Sequence, residues 1–324
     1  MRRREFLAGA LVSLAATPRL AWAQAVRPPR KIGYLHPKTI DPAAPSLAIL
    51  RPVWERLGYT EPDSVVLRAA DGDPAQLAPL VNELVGLGIG VLIAVGPAAV
   101  KVASAARSVP VVAIDLETDP VLSGLAASFG RPGGNVTGLF MDQPSLAGKW
   151  IDLLREAAPG VDRLAFLWDP TTTRDQLVSA TEAARIRGVP AVTLEVRSPE
   201  DYQKAFADDL SRSPKTGVVH LGSPGTSVNA PGFASAARKH RLPTIAFLKA
   251  YARSGVLLSY GPEQESYWPR ALVLADRILK GERAGDIPIE QPARFEFVIN
   301  LKTAKEIGLA IQPSLLARAD EVIE

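Results

Sequence analysis

The chain of 324 residues contains no cysteine. This absence excludes disulfide bonds, thiolate metal sites, a catalytic cysteine and a lipid-modified N-terminal cysteine, so stability must come from packing. Histidine is scarce as well, because His36, His220 and His240 are the only three in the chain. They fall in different predicted elements and lack the spacing of metal ligands, so no metal site is predicted.

Several nucleotide-binding and catalytic motifs are also missing. No G-x-x-x-x-G-K-[ST] phosphate loop occurs, and residues 222–225 (G-S-P-G) do not form a G-x-S-x-G elbow. Gly86, Gly88 and Gly90 follow a predicted helix and precede a predicted strand, which reverses the order of a dinucleotide-binding turn. No basic stripe with interleaved aromatic residues is present, so nucleic-acid binding is not expected. No cofactor is predicted.

Residues 1–25 have the layout of an export signal. Three arginines at 2–4 precede an apolar run at 6–16, and Ala-Trp-Ala stands at 21–23, where a signal peptidase would cut near Ala23. The run is too short to cross a hydrocarbon core of roughly 30 Å as a helix. Residues 3–7 (R-R-E-F-L) resemble a twin-arginine signal, although a general secretory signal has a similar layout. We therefore predict a periplasmic protein.

Removing this signal leaves a nearly neutral protein of ordinary globular composition. Residues 1–23 carry four arginines and one glutamate, which account for the whole net charge of +3. Apolar residues make up 47% and charged residues 22% of the chain, values typical of a globular protein. The remaining length, about 300 residues, suffices for two domains.

Short apolar runs alternate with longer segments of helical periodicity. The predicted strands are residues 31–35, 65–68, 91–95, 111–114, 164–168, 191–196, 218–221, 244–247, 256–260 and 295–300. The predicted helices are residues 45–57, 74–87, 98–106, 145–157, 174–187, 199–210, 231–240, 265–279 and a short one from 303. This order predicts an α/β protein whose doubly wound parallel sheet occurs twice. Pro52 predicts a kink in the first helix, and the glycine-rich segment 125–143 predicts a loop leading into a crossover.

Ligands of open parallel sheets bind beyond the carboxyl ends of the strands, so the loops after the strands hold the candidate site residues. Glu117 is the best candidate carboxylate there, whereas Asp119 precedes a proline and is expected to form a turn or a cap. The helix that starts near Gly96 offers free N–H groups to an anion or forms a plain tight turn. Trp168 stacks on a ligand or fills a core or hinge position. The candidate ligand-binding residues are His36, Gly96, Pro97, Glu117, Asp142, Trp168, Asp169, Ser223, Phe247 and Tyr260.

Six ordered motifs carry a family resemblance. They are D-P-V at 119–121, R-P-G-G-N-V-T-G at 131–138, A-G-K at 147–149, S-Y-G-P at 259–262, F-x-F-V-I-N-L-K-T-A at 295–304 and P-S-L-L-A-R-A-D-E-V-I at 313–323. From about residue 30 to the end, the chain resembles the ABC-transporter substrate-binding family that includes the TrpX-like proteins. Members often have G-T-P-A-A after the third strand, whereas this chain has G-P-A-A at 96–99. The family aspartate that follows N-V-T-G is shifted by one, to Asp142, so tryptophan is not assigned as the ligand.

The resemblance implies a type I periplasmic binding protein: two doubly wound parallel-sheet lobes joined by a three-crossing hinge. Lobe 1 would comprise residues 28–142 and 260–288, and lobe 2 residues 143–259 and 289–324. The implied function is capture of a small polar or carboxylate-bearing solute, such as an aromatic or amino-acid-like molecule, by a monomer that delivers it to an inner-membrane ABC permease. Two alternatives stay open: a ligand sensor of the same fold, and an exported enzyme that uses Asp115, Glu117 or Asp142 as acid or base.

Overall fold

The computed structural model describes residues 31–141, 143–210, 215–222 and 230–324. The predicted export signal lies outside the described residues. The elements in chain order are β1 (Ile32–His36), α1 (Pro45–Arg56), β2 (Val65–Ala69), α2 (Leu77–Gly86), β3 (Val91–Val95), α3 (Gly96–Ala106), β4 (Val111–Asp115), β5 (Val136–Phe140), α4 (Gln143–Ala157), β6 (Arg163–Trp168), α5 (Asp175–Ile186), β7 (Ala191–Glu195), α6 (Pro199–Lys204), β8 (Thr216–His220), α7 (Ala230–Lys239), β9 (Thr244–Ala246), α8 (Lys249–Arg253), β10 (Leu258–Pro262), α9 (Gln264–Leu279), β11 (Phe295–Asn300), α10 (Leu301–Ile307), α11 (Pro313–Leu316) and β12 (Glu321–Ile323).

The strands form two sheets, one in each lobe. The first has five strands in the order β2-β1-β3-β4-β5, and the second has seven in the order β12-β11-β10-β9-β8-β6-β7. All pairs in the first sheet are parallel. β3, β4 and β5 are buried at every residue, as expected for parallel strands covered by helices on both faces. In the second sheet, β10 and β11 are antiparallel. Between them the chain passes to the first lobe through α9, and β11 then runs back into the second sheet in the direction opposite to β10.

The chain passes between the two lobes three times. It first leaves β5 for α4, then leaves β10 for α9, and finally returns to β11 from a 3-10 turn at Ala284–Asp286. Helix α9 packs on α1 and on β3, β4 and β5 of the first sheet. The third crossing is held against β5, since Phe140 N donates to Glu290 O at 3.0 Å and Glu290 N donates to Gly138 O at 2.8 Å. Two doubly wound lobes joined by a three-crossing hinge confirm the predicted fold class.

Helix α1 continues through Pro52, which the sequence predicts as a kink. The helix persists because one face is buried in the first lobe: Leu47, Leu50 and Trp54 are at most 2% exposed. Close to its end, Tyr59 Oη donates to Asp276 Oδ1 of α9 at 2.9 Å. Burial of three large apolar side chains, at about 1.5–3 kcal/mol each, outweighs the loss of one helical hydrogen bond at a proline.

Strand β5 lies inside the segment predicted as a loop. Its five residues include Thr137 and Gly138, so it lacks the continuous β-branched run that marked the other central strands. Gly138 has a φ of +139°, a region that favours glycine. A Cβ atom at this position would lie within 2.5 Å of the backbone nitrogen of Ala113 on β4. The close approach of the β4 and β5 backbones therefore requires glycine here. Because glycine is not typical of strands, the residue types of this segment do not predict β5.

Replacing Gly138 with alanine is expected to destabilise the protein by about 3 kcal/mol, through overpacking against β4 and a strained φ. Urea unfolding at equilibrium measures this change. Gly86→Ala is the matched control, because Gly86 ends α2 and its Cβ would meet no atom within 4 Å. We expect that variant to match the wild type or to gain up to about 1 kcal/mol. Equal stability of the two variants would contradict the proposed backbone contact.

No helix in the described ranges is both long and apolar enough to cross a membrane.

Candidate functional site

A cavity of about 450 Å³ lies between the two lobes. In the first lobe it is lined by the residues that end or follow three neighbouring strands, namely His36 of β1, Gly96 after β3 and Glu117 after β4. In the second lobe the corresponding residues are Gly222 after β8 and Phe247 after β9. Both sheets therefore present the carboxyl ends of adjacent parallel strands to one space, the position where ligands of open α/β sheets bind.

One wall of the cavity is aromatic and apolar. It includes Tyr267 and Trp268 from the start of α9, with ring centroids 5.7 Å apart and planes at 27°. The second lobe adds Phe247, Leu248 and Tyr251. Both Tyr267 and Trp268 are at most 5% exposed, so their ring positions are fixed by the surrounding protein. Such a wall suits an aromatic or aliphatic body of a small molecule.

Helix N-termini converge on the same cavity. Ala44 at the start of α1, Gly96 at the start of α3 and Gln264 at the start of α9 all line it. None of these three helices has a side-chain hydrogen bond at its N-cap. The first N–H groups of a helix lack intrahelical partners, and the helix dipole makes this end positive. This edge of the cavity is therefore favourable for an anionic group.

The polar side of the cavity carries acidic side chains. Asp41 and Glu117 line it, and no lysine or arginine does so among the described lining residues. His36 supplies no fixed positive charge, because burial lowers its pKa below the ordinary value. Away from the helix ends, this acidic side of the cavity therefore favours a hydrogen-bond donor or a cation.

Glu117 lies next to a second buried carboxyl group, that of Asp115. Asp115 is 0% exposed, and its Oδ1 accepts hydrogen bonds from the backbone N–H of Glu117 at 3.1 Å and of Thr118 at 3.0 Å. Burial raises the pKa of Asp115 to about 6. Burial also raises the pKa of Glu117 well above its ordinary value, and the negative charge of Asp115 raises it further. The pair thus retains a proton at pH values where an exposed pair would be fully ionised.

Two hydrogen bonds join the lobes beside the cavity. Thr173 Oγ1 of the second lobe donates to the carbonyl oxygen of Glu117 at 3.2 Å, and Asp119 N donates to Asp175 Oδ2 at 2.9 Å. Asp119 also accepts hydrogen bonds through Oδ1 from the two N–H groups at 121 and 122, the capping role expected from the sequence. The loop that carries Glu117 is therefore held by both lobes.

The predicted ligand-binding residues separate into distinct groups. His36, Gly96, Glu117 and Phe247 line the cavity. Pro97 is buried in the first turn of α3, and Tyr260 lines a separate groove on the hinge. Trp168 donates through Nε1 to Thr173 O at 3.2 Å, and Asp169 Oδ1 accepts from Thr171 N at 2.9 Å and from Thr171 Oγ1 at 2.7 Å. Asp142 and Ser223 lie outside the described residues.

Trp168 and Asp169 are placed to support the site from behind. They shape the turn at 169–173, whose last residue reaches Glu117. Reading only the loops after strands overlooked Tyr267 and Trp268, which follow a hinge crossing, and Ala44 and Ser46 at the start of α1. The predicted start of α9 at residue 265, close to two aromatic residues, is the signal that could have revealed the first pair.

The three histidines do not meet. His220 is buried in the second lobe, where Nε2 and the Tyr202 hydroxyl are 2.8 Å apart. His36 lines the cavity in the other lobe, and His240 follows α7. Within the described part of the chain, no group of three or more histidine, cysteine, aspartate and glutamate residues could hold a metal ion.

Known proteins share this architecture. Residues 54–323 match the profile of the family described as ABC transporter substrate binding protein. A tyrosine-binding protein from Clostridioides difficile (strain R20291) is 24% identical over 261 residues, which are 79% of this chain and 74% of that protein. The profile match over residues 54–323 includes most of both lobes. The relationship therefore extends across the hinge and is not confined to one sheet.

Solved structures share the fold. The structure of an ABC domain in complex with L-Trp from Streptococcus pneumonia has a TM-score of 0.80 and 23% identity, covering 90% of this chain and 99% of the other. A 5-methylthioribose transporter solute binding protein from Thermotoga lettingae has a TM-score of 0.61 and 13% identity, covering 90% and 97%. The fold is that of type I periplasmic binding proteins. With the match covering most of its length, the chain belongs to the ABC transporter substrate-binding protein family.

Proposed function

We propose that this protein is the solute-binding component of an ABC importer and that its solute is an amino acid with an aromatic or large apolar side chain. The proposal rests on the cavity between the lobes, which presents three chemically different surfaces. Helix N-termini offer N–H groups to a carboxylate, Glu117 and Asp41 offer acceptors to an ammonium group, and Tyr267 and Trp268 face the remaining space. A zwitterion with an apolar side chain matches all three surfaces.

The relatives support the same solute class. One is named a tyrosine-binding protein, and the solved structure with the TM-score of 0.80 is a complex with L-Trp. The cavity volume of about 450 Å³ lies in the range of small-molecule sites. We assign Glu117 to solute binding because it lines the cavity, whereas the neighbouring Asp115 is fully buried and does not.

Export and delivery complete the proposal. The N-terminal pattern of residues 1–25 supports passage across the inner membrane, and removal near Ala23 would leave a periplasmic protein. The solute-loaded protein would then dock on a membrane permease driven by a separate ATPase. We propose that it acts as a monomer, with the two lobes supplying the complete site.

Amino acids are expected to raise the melting temperature of protein from which bound solute has been removed by unfolding and refolding. L-tyrosine, L-tryptophan and L-phenylalanine are the test set. A solute at one hundred times its Kd adds about 2.7 kcal/mol to the free energy of unfolding. Tyramine lacks the carboxylate and 3-(4-hydroxyphenyl)propionate lacks the ammonium group, so each should bind at least about tenfold more weakly than L-tyrosine. The absence of a shift with every amino acid would refute the assigned solute class.

A further inference from the structure

A second cavity, of about 370 Å³, lies on the hinge. Its lining includes Met141 of the first crossing and Pro292 of the third. The other wall belongs to the second lobe, with Lys149 of α4, Tyr260 of β10 and Phe295 of β11. None of its lining residues also lines the cavity between the lobes. This groove, which we call the hinge groove, is therefore a separate space where two of the crossings meet the second lobe, and its shape depends on segments that move when the lobes open or close.

The walls of the hinge groove combine a stacked aromatic pair with one cation. The rings of Tyr260 and Phe295 are 5.6 Å apart with planes at 19°. Lys149 Nζ lies 5.9 Å from the centre of the Tyr260 ring. Lys149 is the one charged residue among the described lining residues, and no described carboxylate comes within 4.0 Å of its amino group. A cation over an aromatic face, without a carboxylate partner, leaves its charge available to an anion.

The position of the Tyr260 ring is set by the protein and does not need a ligand. Trp150 Nε1 of α4 donates to Tyr260 O at 2.7 Å, and Phe297 packs edge-on against the Tyr260 ring at 6.4 Å. At the third crossing, residue 290 is hydrogen-bonded to β5. The groove is thus preorganised in the arrangement where Thr173 and Glu117 join the lobes, which lowers the entropic cost of binding a rigid molecule.

We propose that the hinge groove binds a small aromatic carboxylate, with its ring against Tyr260 and Phe295 and its carboxylate on Lys149 Nζ. A molecule seated there on the second lobe also meets Met141 of the first crossing and Pro292 of the third, and it favours the lobe arrangement in which the groove is formed. Because the same arrangement joins the lobes around the cavity between them, occupancy of the groove raises solute affinity, and by linkage the solute raises affinity for the aromatic carboxylate by the same factor. We expect a factor of about five.

Fluorine NMR with 4-fluorobenzoate as the probe tests this site on the full chain. Wild-type protein is expected to bind the probe saturably, and Lys149→Met is expected to weaken binding at least about tenfold by removing the charged partner. Lys101→Met is the matched control, because Lys101 is exposed on α3 and lines neither cavity. Tyr260→Leu provides a second variant, since it removes the ring while the hydrogen bond from Trp150 to the backbone stays possible.

A further variant must exclude binding of the probe in the cavity between the lobes. Ala44→Trp places an indole in the cavity between the lobes and should leave probe binding unchanged. If Ala44→Trp lost probe binding and Lys149→Met kept it, the probe would bind in the cavity between the lobes, and the proposal would be overturned. The absence of saturable binding to the wild type would overturn it too. Neither result affects the proposed amino-acid function, which the melting experiment tests independently.

Discussion

Replacing Ala44 with tryptophan is expected to abolish solute binding while leaving the protein folded. Ala44 is half-buried at the N-cap of α1, lines the cavity between the lobes and makes no side-chain hydrogen bond there. An indole at this position would fill space that the solute needs. The residue precedes the helix and is outside the apolar core, so the free energy of unfolding should change by less than about 1 kcal/mol. Titration calorimetry should show at least a hundredfold loss of affinity.

The neighbouring position offers a matched control. Ala43 is exposed and does not line the cavity, so Ala43→Trp adds the same side chain one residue away. This variant should bind solute as the wild type does. If both variants bound with wild-type affinity, the solute would have to bind elsewhere. If both lost binding together with cooperative unfolding, the cause would be the fold of the segment before α1.

Replacing Glu117 with glutamine is expected to stabilise the solute-free protein above pH 7. The folded pKa of Glu117 is raised by burial and by Asp115, so the folded state binds more protons than the unfolded state above the ordinary glutamate pKa. Stability contributed by this group is therefore fully present in acid and is lost as pH rises through the folded pKa. Glutamine removes that loss, and urea unfolding at pH 8 should show a higher free energy of unfolding for the variant than for the wild type. The gain should shrink toward pH 5.

The same substitution is expected to weaken solute binding. An ammonium group next to Glu117 favours the ionised carboxylate, so wild-type affinity should rise with pH as the solute-free carboxyl group loses its proton. Glu117→Gln removes a charge-assisted hydrogen bond, which corresponds to a loss of about 10–100-fold in affinity, and it flattens the pH dependence. Wild-type affinity that falls as pH rises would instead place the solute carboxylate at Glu117.

Glu83 supplies the control for a glutamate in the opposite environment. It is exposed, and its hydrogen bonds with Arg68 lower its pKa below the ordinary value. Glu83→Gln should therefore bring no gain in stability at pH 8 and no change in solute affinity. A gain as large as that of Glu117→Gln would show that the effect reflects a general loss of negative charge, and not the buried carboxyl pair.

Most of the fold was predictable from residue patterns because its central strands are buried on both faces. Segments such as Val91–Val95 consist of apolar residues only, and helices such as α9 show clear periodicity. The elements that escaped prediction lack these signals. Strand β5 contains Gly138, α8 is only five residues long, and β12 is three residues long and half-buried. Their pairing depends on contacts with distant segments, which local patterns do not contain.

The lining of the cavity between the lobes was predictable where it follows strands and not where it follows the hinge. His36, Gly96 and Glu117 line this cavity because adjacent parallel strands end at one edge of a sheet, and their role in ligand binding stays a prediction. Trp268 reaches the cavity through the second crossing, after a strand that belongs to the other lobe. Tyr260 was predicted for the ligand site, but its ring lines the hinge groove instead. Only the path of three crossings decides which side of the hinge such residues face.

Native mass spectrometry tests the central claim most directly. Refolded, solute-free wild-type protein, Ala44→Trp and Ala43→Trp would each be incubated with an equimolar mixture of the twenty amino acids. We predict one bound amino acid per chain on the wild type and on Ala43→Trp, with an aromatic or large apolar side chain, and none on Ala44→Trp. An equally abundant adduct on Ala44→Trp, or no adduct on any of the three proteins, would contradict binding of an amino acid between the lobes.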